Sequence, residues 1–209
     1  MLTRLTTLVT GRKHRGRARR RKLAWLWLMS DDDRLPDPAD AIATLPAGSG
    51  VILRHANAST RRALAEKAKR VCAAKRMDLL IASDWRLAAA MRCAGVHVPE
   101  TVLRRGCDPG LRLWRRQRRA IMTASAHSTG AVRAAHRAGA DLIFLSPVFA
   151  TVSHPGRRTL GRLQLARIVR ETRAALAALG GITARTVGQL NGCGVVAVGG
   201  IGLAVKEKA

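Results

Sequence analysis

The sequence predicts an α/β protein, a compact (β/α)8 TIM barrel with a disordered basic N-terminal tail, and three observations predict it. Eight short apolar runs are spaced along residues 23–209. Amphipathic helical patterns lie between several of them. At residues 91–96, 138–142 and 191–195 a helix end, a glycine and a new apolar run follow one another. Repeated βα units look like this, because glycine tolerates the left-handed turn that closes a helix.

Residues 1–22 carry nine Lys or Arg, no acid and no hydrophobic period. Such a segment cannot bury enough apolar surface to order itself, so a disordered tail is expected. A nucleic-acid arm, a targeting piece and a start codon placed too early are the alternative readings of it. Residues 23–209 are expected to form one domain, since this length can bury one core.

The apolar runs fall at 24–30, 51–54, 79–82, 95–98, 120–124, 141–145, 175–179 and 195–199. Most are continuous and not alternating, as strands covered on both faces should be. Between them, Leu64, Ala68, Val71 and Cys72 make one helical stripe, and Leu87, Ala90, Met91 and Ala94 make another. Leu163, Ala166, Ile168 and Val169 roughly make a third. Ser59, Ser128 and Thr183 stand where N-caps are expected. Residues 99–119 offer seven arginines against Leu103, Leu111, Leu113 and Trp114, which predicts a short or irregular fourth helix. Little chain remains after the eighth run for a closing helix.

The 38 Lys and Arg against 13 Asp and Glu give a net charge of +25. Such a chain attracts phosphorylated metabolites, nucleic acid or anionic lipid, although an Arg- and Ala-rich proteome accounts for most of the excess. Cys72, Cys93, Cys107 and Cys193 lack Cys-x-x-Cys spacing and read as thiols of a reducing compartment. No run approaches the roughly eighteen apolar residues of a membrane span, and residues 1–10 do not make a secretory signal. The expected location is cytoplasmic, with small phosphorylated substrates as partners and no membrane. No feature of the sequence sets an oligomeric state.

A (β/α)8 barrel gathers the carboxyl ends of its strands on one face. Ser125 and His127 therefore belong beside Ser146, Thr151 and His154, with Asp31, Arg54, His55 and Asp84 on the same rim. Gly180-Gly181 follow the seventh run and Gly199-Gly200 the eighth. Bare backbone there lets amide N–H groups close on a phosphate; tight turns are the alternative reading. Arg54 can hold an anion and Asp84 a Mg²⁺ ion, or each can simply pair with an opposite charge. His127, flanked by hydroxyls, is the best general acid or base, with a structural hydrogen-bonding histidine as its alternative. His97 reads as core. The arginines of 104–119 read as a solvated surface, with nucleic acid as the alternative.

In order, Leu26-Trp27-Leu28-Met29-Ser30-Asp31, Val51-Ile52-Leu53-Arg54, Leu80-Ile81-Ala82-Ser83-Asp84, Gly95-Val96-His97-Val98, Ser125-Ala126-His127-Ser128, Ser146-Pro147-Val148-Phe149-Ala150-Thr151 and Ala178-Leu179-Gly180-Gly181-Ile182 resemble the thiamine phosphate synthase family, which includes thiazole tautomerases. The resemblance spans residues 24–203. It implies thiazole phosphate on the glycine loops and, for a synthase, a pyrimidine diphosphate that loses Mg-bound pyrophosphate before the thiazole nitrogen attacks. In that reading Asp84 holds Mg²⁺, Arg54 and Ser125 bind diphosphate, Thr151 and Ser153 keep the hydroxyls, and His154 stands in for a lysine. The chain departs from the pattern at His55, Ala56 and Ser83, and again where Pro99-Glu100-Thr101-Val102 replaces a segment bearing a second metal carboxylate. Synthase-type coupling is the first reading. Metal-independent tautomerisation by His127 is the runner-up, and a non-catalytic phosphate- or nucleic-acid-binding barrel recruited through the tail is a third.

Overall fold

The computed structural model describes residues 23–151, 156 and 158–201. The expected disordered tail lies outside these residues, as do Ser153 and His154. Eight parallel strands close a barrel in sequence order, each hydrogen-bonded to its chain neighbours and β8 to β1. They are β1 (Leu26–Met29), β2 (Gly50–Leu53), β3 (Asp78–Ala82), β4 (Gly95–Val98), β5 (Ile121–Ala126), β6 (Leu142–Leu145), β7 (Leu176–Leu179) and β8 (Ala197–Gly200). All eight coincide with the apolar runs. Continuous hydrophobicity is what a strand needs when side chains pack inward to the barrel centre and outward to helices.

Seven α-helices surround the strands among the described residues: α1 (Ala39–Thr44), α2 (Ala58–Ala74), α3 (Trp85–Ala90), α4 (Glu100–Arg104), α5 (Pro109–Arg118), α6 (Thr129–Arg137) and α7 (Gly161–Glu171). The fourth connection is split into α4 and α5, because Leu111 is the one residue α5 fully buries. Asp108 restarts the chain as N-cap, accepting from the Gly110 amide at 2.7 Å. Its other oxygen takes the Trp85 indole N–H at 2.9 Å, and Trp85 lies 6.1 Å from Trp114. Between β7 and β8 only a 3₁₀ turn, Val187–Leu190, takes the place of a helix.

Several local expectations are corrected. Asn57, not Ser59, caps α2, its side chain accepting from the Ser59 amide at 3.0 Å. Thr183 accepts from the Arg185 and Thr186 amides in a turn ahead of the 3₁₀ segment. Leu163 is 84% exposed and Ala90 is also exposed, so each drops out of its stripe. The left-handed residue closing α3 is Arg92 (φ 52°), not Gly95. Gly95 sits inside β4, where a Cβ would overlap the Ile121 backbone. Gly139 (φ 86°) does close α6 as expected.

The barrel interior is packed large against small. Trp27 and Phe144 meet edge to face with centroids 5.9 Å apart. Each ring lies over a glycine of another strand. A Cβ on Gly50 would enter the Trp27 ring, and one on Gly199 would stand 2.9 Å from Phe144 Cε1. Met29, Ile52, Leu80 and Ile121 complete this layer. His97 joins it as a core residue, its Nδ1 2.9 Å from Thr123 Oγ1 and its ring edge-on to Phe144. Burial, with Arg54 adding a smaller push, holds its pKa down at about 3.

Two expectations follow. Gly50→Ala forces Trp27 off its place in a filled core and lowers unfolding free energy by about 1–3 kcal/mol in urea titration. For His97 the unfolded chain binds a proton below pH 6.5 and the folded chain only near 3. Stability from this group is therefore full above 6.5 and lost as pH falls from 6.5 toward 3, by up to about 1.4 kcal/mol per pH unit. A His97→Gln variant, measured by urea midpoint across that range, should show a shallower decline than the parent.

Candidate active site at the carboxyl rim

Each strand of the barrel delivers its last residues to one rim, and the polar side chains there fall into three hydrogen-bonded groups. The first joins the ends of β1 and β2. The Arg54 amide donates to Ser30 Oγ at 2.8 Å, Ser30 Oγ lies 3.0 Å from His55 Nδ1, and His55 Nε2 lies 3.1 Å from the Pro36 carbonyl. Since a carbonyl only accepts, Nε2 carries the proton and, in the neutral ring, Nδ1 accepts from Ser30. His55 is thus a buried strut between two loops. Asp31 lies beside it, its carboxyl held below the ordinary range, first by the Arg34 hydrogen bond. Arg34 Nη2 sits 3.0 Å from it, against 3.8 Å for Arg54. Arg54 is 40% exposed.

The second group surrounds Asp84. Its Oδ1 accepts from the Leu87 amide at 2.9 Å as N-cap of α3, and Oδ2 lies 3.8 Å from Arg61 Nη1. Arg61 also donates to the Ala82 carbonyl at the end of β3. Ser83 between them is left-handed (φ 63°).

The third group carries the clearest chemistry. Glu100, 8% exposed at the start of α4, reaches across to the end of β5. Its Oε2 accepts from the His127 amide at 2.9 Å and from His127 Nδ1 at 2.8 Å, while Oε1 accepts from Arg104 Nε at 2.9 Å. Burial pushes the Glu100 carboxyl up, but the bonds from His127 and Arg104 outweigh it and leave the group below its ordinary value. Ser125 completes the corner, its Oγ accepting from the Glu100 amide at 3.2 Å. With Nδ1 bonded to a carboxylate, Nε2 is the ring nitrogen left without a partner among the described residues, and the side chain is 36% exposed.

Ser125 is the penultimate residue of β5 and His127 follows the strand, so both lie at this rim; sequence reasoning missed Glu100 beside them. Its signal was the acidic first residue of a helix one strand away from His127, visible only once β4 and β5 are known to be neighbours.

The glycine pairs differ from one another. β7 and β8 are adjacent, with Leu179 opposite Gly199. Gly180 (φ 88°) and Gly181 (φ 66°) form a true turn, pressed against the segment after β6. A Cβ on Gly180 would lie 2.9 Å from Pro147 Cα, and one on Gly181 would overlap the Ala150 carbonyl oxygen. The Val148 and Phe149 amides donate to the Leu179 and Gly180 carbonyls at 2.9 and 3.1 Å. Thr151, half-buried, follows Ala150 directly. Gly199 and Gly200, expected beyond the eighth strand, are instead its last two residues, and Gly199 lacks a side chain because Phe144 occupies that space.

The carboxylates build no protein-only cage for a divalent cation, and Asp84 Oδ2, 3.8 Å from Arg61, is the oxygen that could face Mg²⁺ carried by substrate phosphates. Asp84 Oδ1 is spent on a helix cap, and Glu100 on His127 and Arg104. Among the described residues no three His, Cys, Asp or Glu side chains cluster as metal ligands. Glu100→Ala removes the buried acceptor of the His127 amide, the His127 ring and Arg104 and should cost about 2 kcal/mol of stability by urea unfolding, whereas Ser125→Ala should cost less than half of that.

Residues 37–203 match the family model described as thiamine monophosphate synthase, TMP-TENI. The putative thiamine-phosphate synthase 2 of Aquifex aeolicus is 36% identical over 110 residues, 50% of this chain and 54% of that protein. The match thus spans about half the length of that relative. The thiamine-phosphate synthase of Geobacillus kaustophilus is 29% identical over 154 residues, covering 71% of this chain and 67% of its own length. Among solved structures, thiamine phosphate pyrophosphorylase from Pyrococcus furiosus has a TM-score of 0.67 at 17% identity, over 87% of this chain and 88% of that one. That likeness concerns the fold alone.

Proposed function

Because the chain belongs to the thiamine monophosphate synthase family, we propose that it is an enzyme of thiamine biosynthesis that binds a thiazole phosphate at the carboxyl rim and moves a proton on it through His127. The observation that carries this reading is the 2.8 Å bond from His127 Nδ1 to the buried Glu100 carboxylate. A histidine so held has one tautomer, a fixed ring plane and a negative charge ready to balance the imidazolium. Nε2 takes a proton from one position of the thiazole, and the imidazolium returns a proton at another, so that bonds are redistributed without any group leaving. Ser125 anchors the Glu100 backbone. The amides of Gly180 and Gly181 are suited to the phosphate ester, with Thr151 beside them and Arg54 as the available guanidinium. Gly199 and Gly200 border this turn from the neighbouring strand. No metal enters these steps, and Asp84 serves as cap of α3.

Synthase-type coupling of a pyrimidine diphosphate to thiazole phosphate is the second reading, supported by the printed names of the relatives. It asks for cations around a departing pyrophosphate, where this rim supplies Arg54. The four free thiols suit a reducing, cytoplasmic setting. No helix among the described residues is long and apolar enough to cross a membrane.

One pair of assays decides between the readings. Purified protein should catalyse solvent-proton exchange or tautomerisation of a thiazole phosphate, with His127→Ala about 100-fold slower or worse and Glu100→Gln about tenfold slower. Unchanged turnover in His127→Ala would remove that residue from the mechanism. Formation of thiamine phosphate from the two substrates with Mg²⁺, at a rate indifferent to Glu100→Gln, would establish coupling instead.

A further inference from the structure

The opposite end of the barrel holds a second site. A cavity of about 590 Å³ opens at the N-terminal face, bounded by the residues that precede β1 and β6, the start of β5 and the last turns of α5. It is closed below by the buried Ala120, Ile121 and Met122, with the partly exposed Leu23 beside them, and five guanidiniums stand round it: Arg112, Arg115, Arg116, Arg118 and Arg119. One acid, Asp141, lies among them, and it is already used. It accepts from Arg115 Nη2 at 3.1 and 3.0 Å and from the Met122 amide at 2.9 Å. Gly139 leaves room for that arginine, since a Cβ there would stand 2.8 Å from Arg115 Nη1. Among the described residues the other four arginines have no ion-pair partner.

Helix polarity explains part of this arrangement and not the rest. Arg115, Arg116 and Arg118 occupy the last turn of α5, where the helix dipole favours cations. Arg112 lies near the other end of the helix, and Arg119 is held in a left-handed conformation (φ 51°) that is unfavourable for a side chain-bearing residue. A neighbouring cavity of about 320 Å³ shares Arg118 and Ala120 and adds Lys69 and Arg92, extending the basic lining. Like charges gathered this closely repel one another until an anion enters.

We propose that this cavity binds a nucleotide, a flat aromatic ring carrying a di- or triphosphate, at a site separate from the carboxyl rim. A lone inorganic phosphate would leave most of the space empty, while pockets for small organic ligands run from about 300 to 1,000 Å³. Leu23 and the aliphatic stems of the arginines supply apolar contact for the ring. Guanidiniums take phosphate oxygens two at a time and stack on aromatic faces, which an ammonium does less well.

The test is a fluorescence titration of the full chain with N-methylanthraniloyl-ATP, without Mg²⁺. Arg112→Ala/Arg116→Ala removes two guanidiniums that are exposed and unpaired, and Arg62→Ala/Lys67→Ala removes the same charge from α2. The wild type should saturate, unlabelled ATP should compete, and the first variant should bind at least about tenfold more weakly while the second stays within about twofold. The proposal is overturned by lack of saturation up to millimolar nucleotide, or by equal losses in both variants, which would mark general charge attraction. It is also overturned if a single-stranded oligonucleotide binds more tightly than ATP and displaces it, which would make the surface a nucleic-acid contact.

Discussion

Two rings set against two glycines fix the centre of this barrel. The whole chain has four Trp, two Phe and no Tyr, and it commits Trp27 and Phe144 to one edge-to-face contact inside the sheet. A closed eight-stranded sheet leaves an interior just wide enough for side chains to fill. Large rings on β1 and β6 therefore require bare backbone on β2 and β8, at Gly50 and Gly199. The same packing presses His97 into an apolar layer and keeps it uncharged. With the centre filled, chemistry is confined to the two ends.

Those ends are built on different electrostatic plans. At the carboxyl rim every carboxylate discussed is matched: Asp31 to Arg34, Asp84 to a helix amide and Arg61, Glu100 to His127 and Arg104. Matched charges leave few unspent groups, and His127 Nε2 and the partly exposed Arg54 are the ones best placed to meet a ligand. At the amino end the balance is abandoned, with five guanidiniums around one opening, four of them without an ion-pair partner among the described residues, and the acid of its lining already bonded. The net charge of +25 is thus unevenly felt.

Strand positions were legible because a strand covered on both faces must be apolar throughout, whatever its neighbours are. Helix faces were less so. Leu163 and Ala90 fit a periodic stripe yet face water, since short helices touch the barrel over a turn or two. Glycines misled where two causes give the same letter: Gly139 is a left-handed helix stop, whereas Gly95 and Gly199 are places where other atoms fill the Cβ space. The candidate site was half legible. His127 and Ser125 stand at the end of an apolar run, which marks a rim, but Glu100 is 27 residues away and joins them only through the β4–β5 pairing. Expectations at Ser153 and His154 fall outside the described residues.

The stitching of Val148 and Phe149 onto the Leu179 and Gly180 carbonyls has a mechanical corollary. With Gly180 and Gly181 admitting no side chain between the two segments, residues 147–150 and the turn after β7 are joined as one unit and not as two independent lips. A ligand gripping either segment therefore stiffens both, and the entropy lost in ordering them is incurred once.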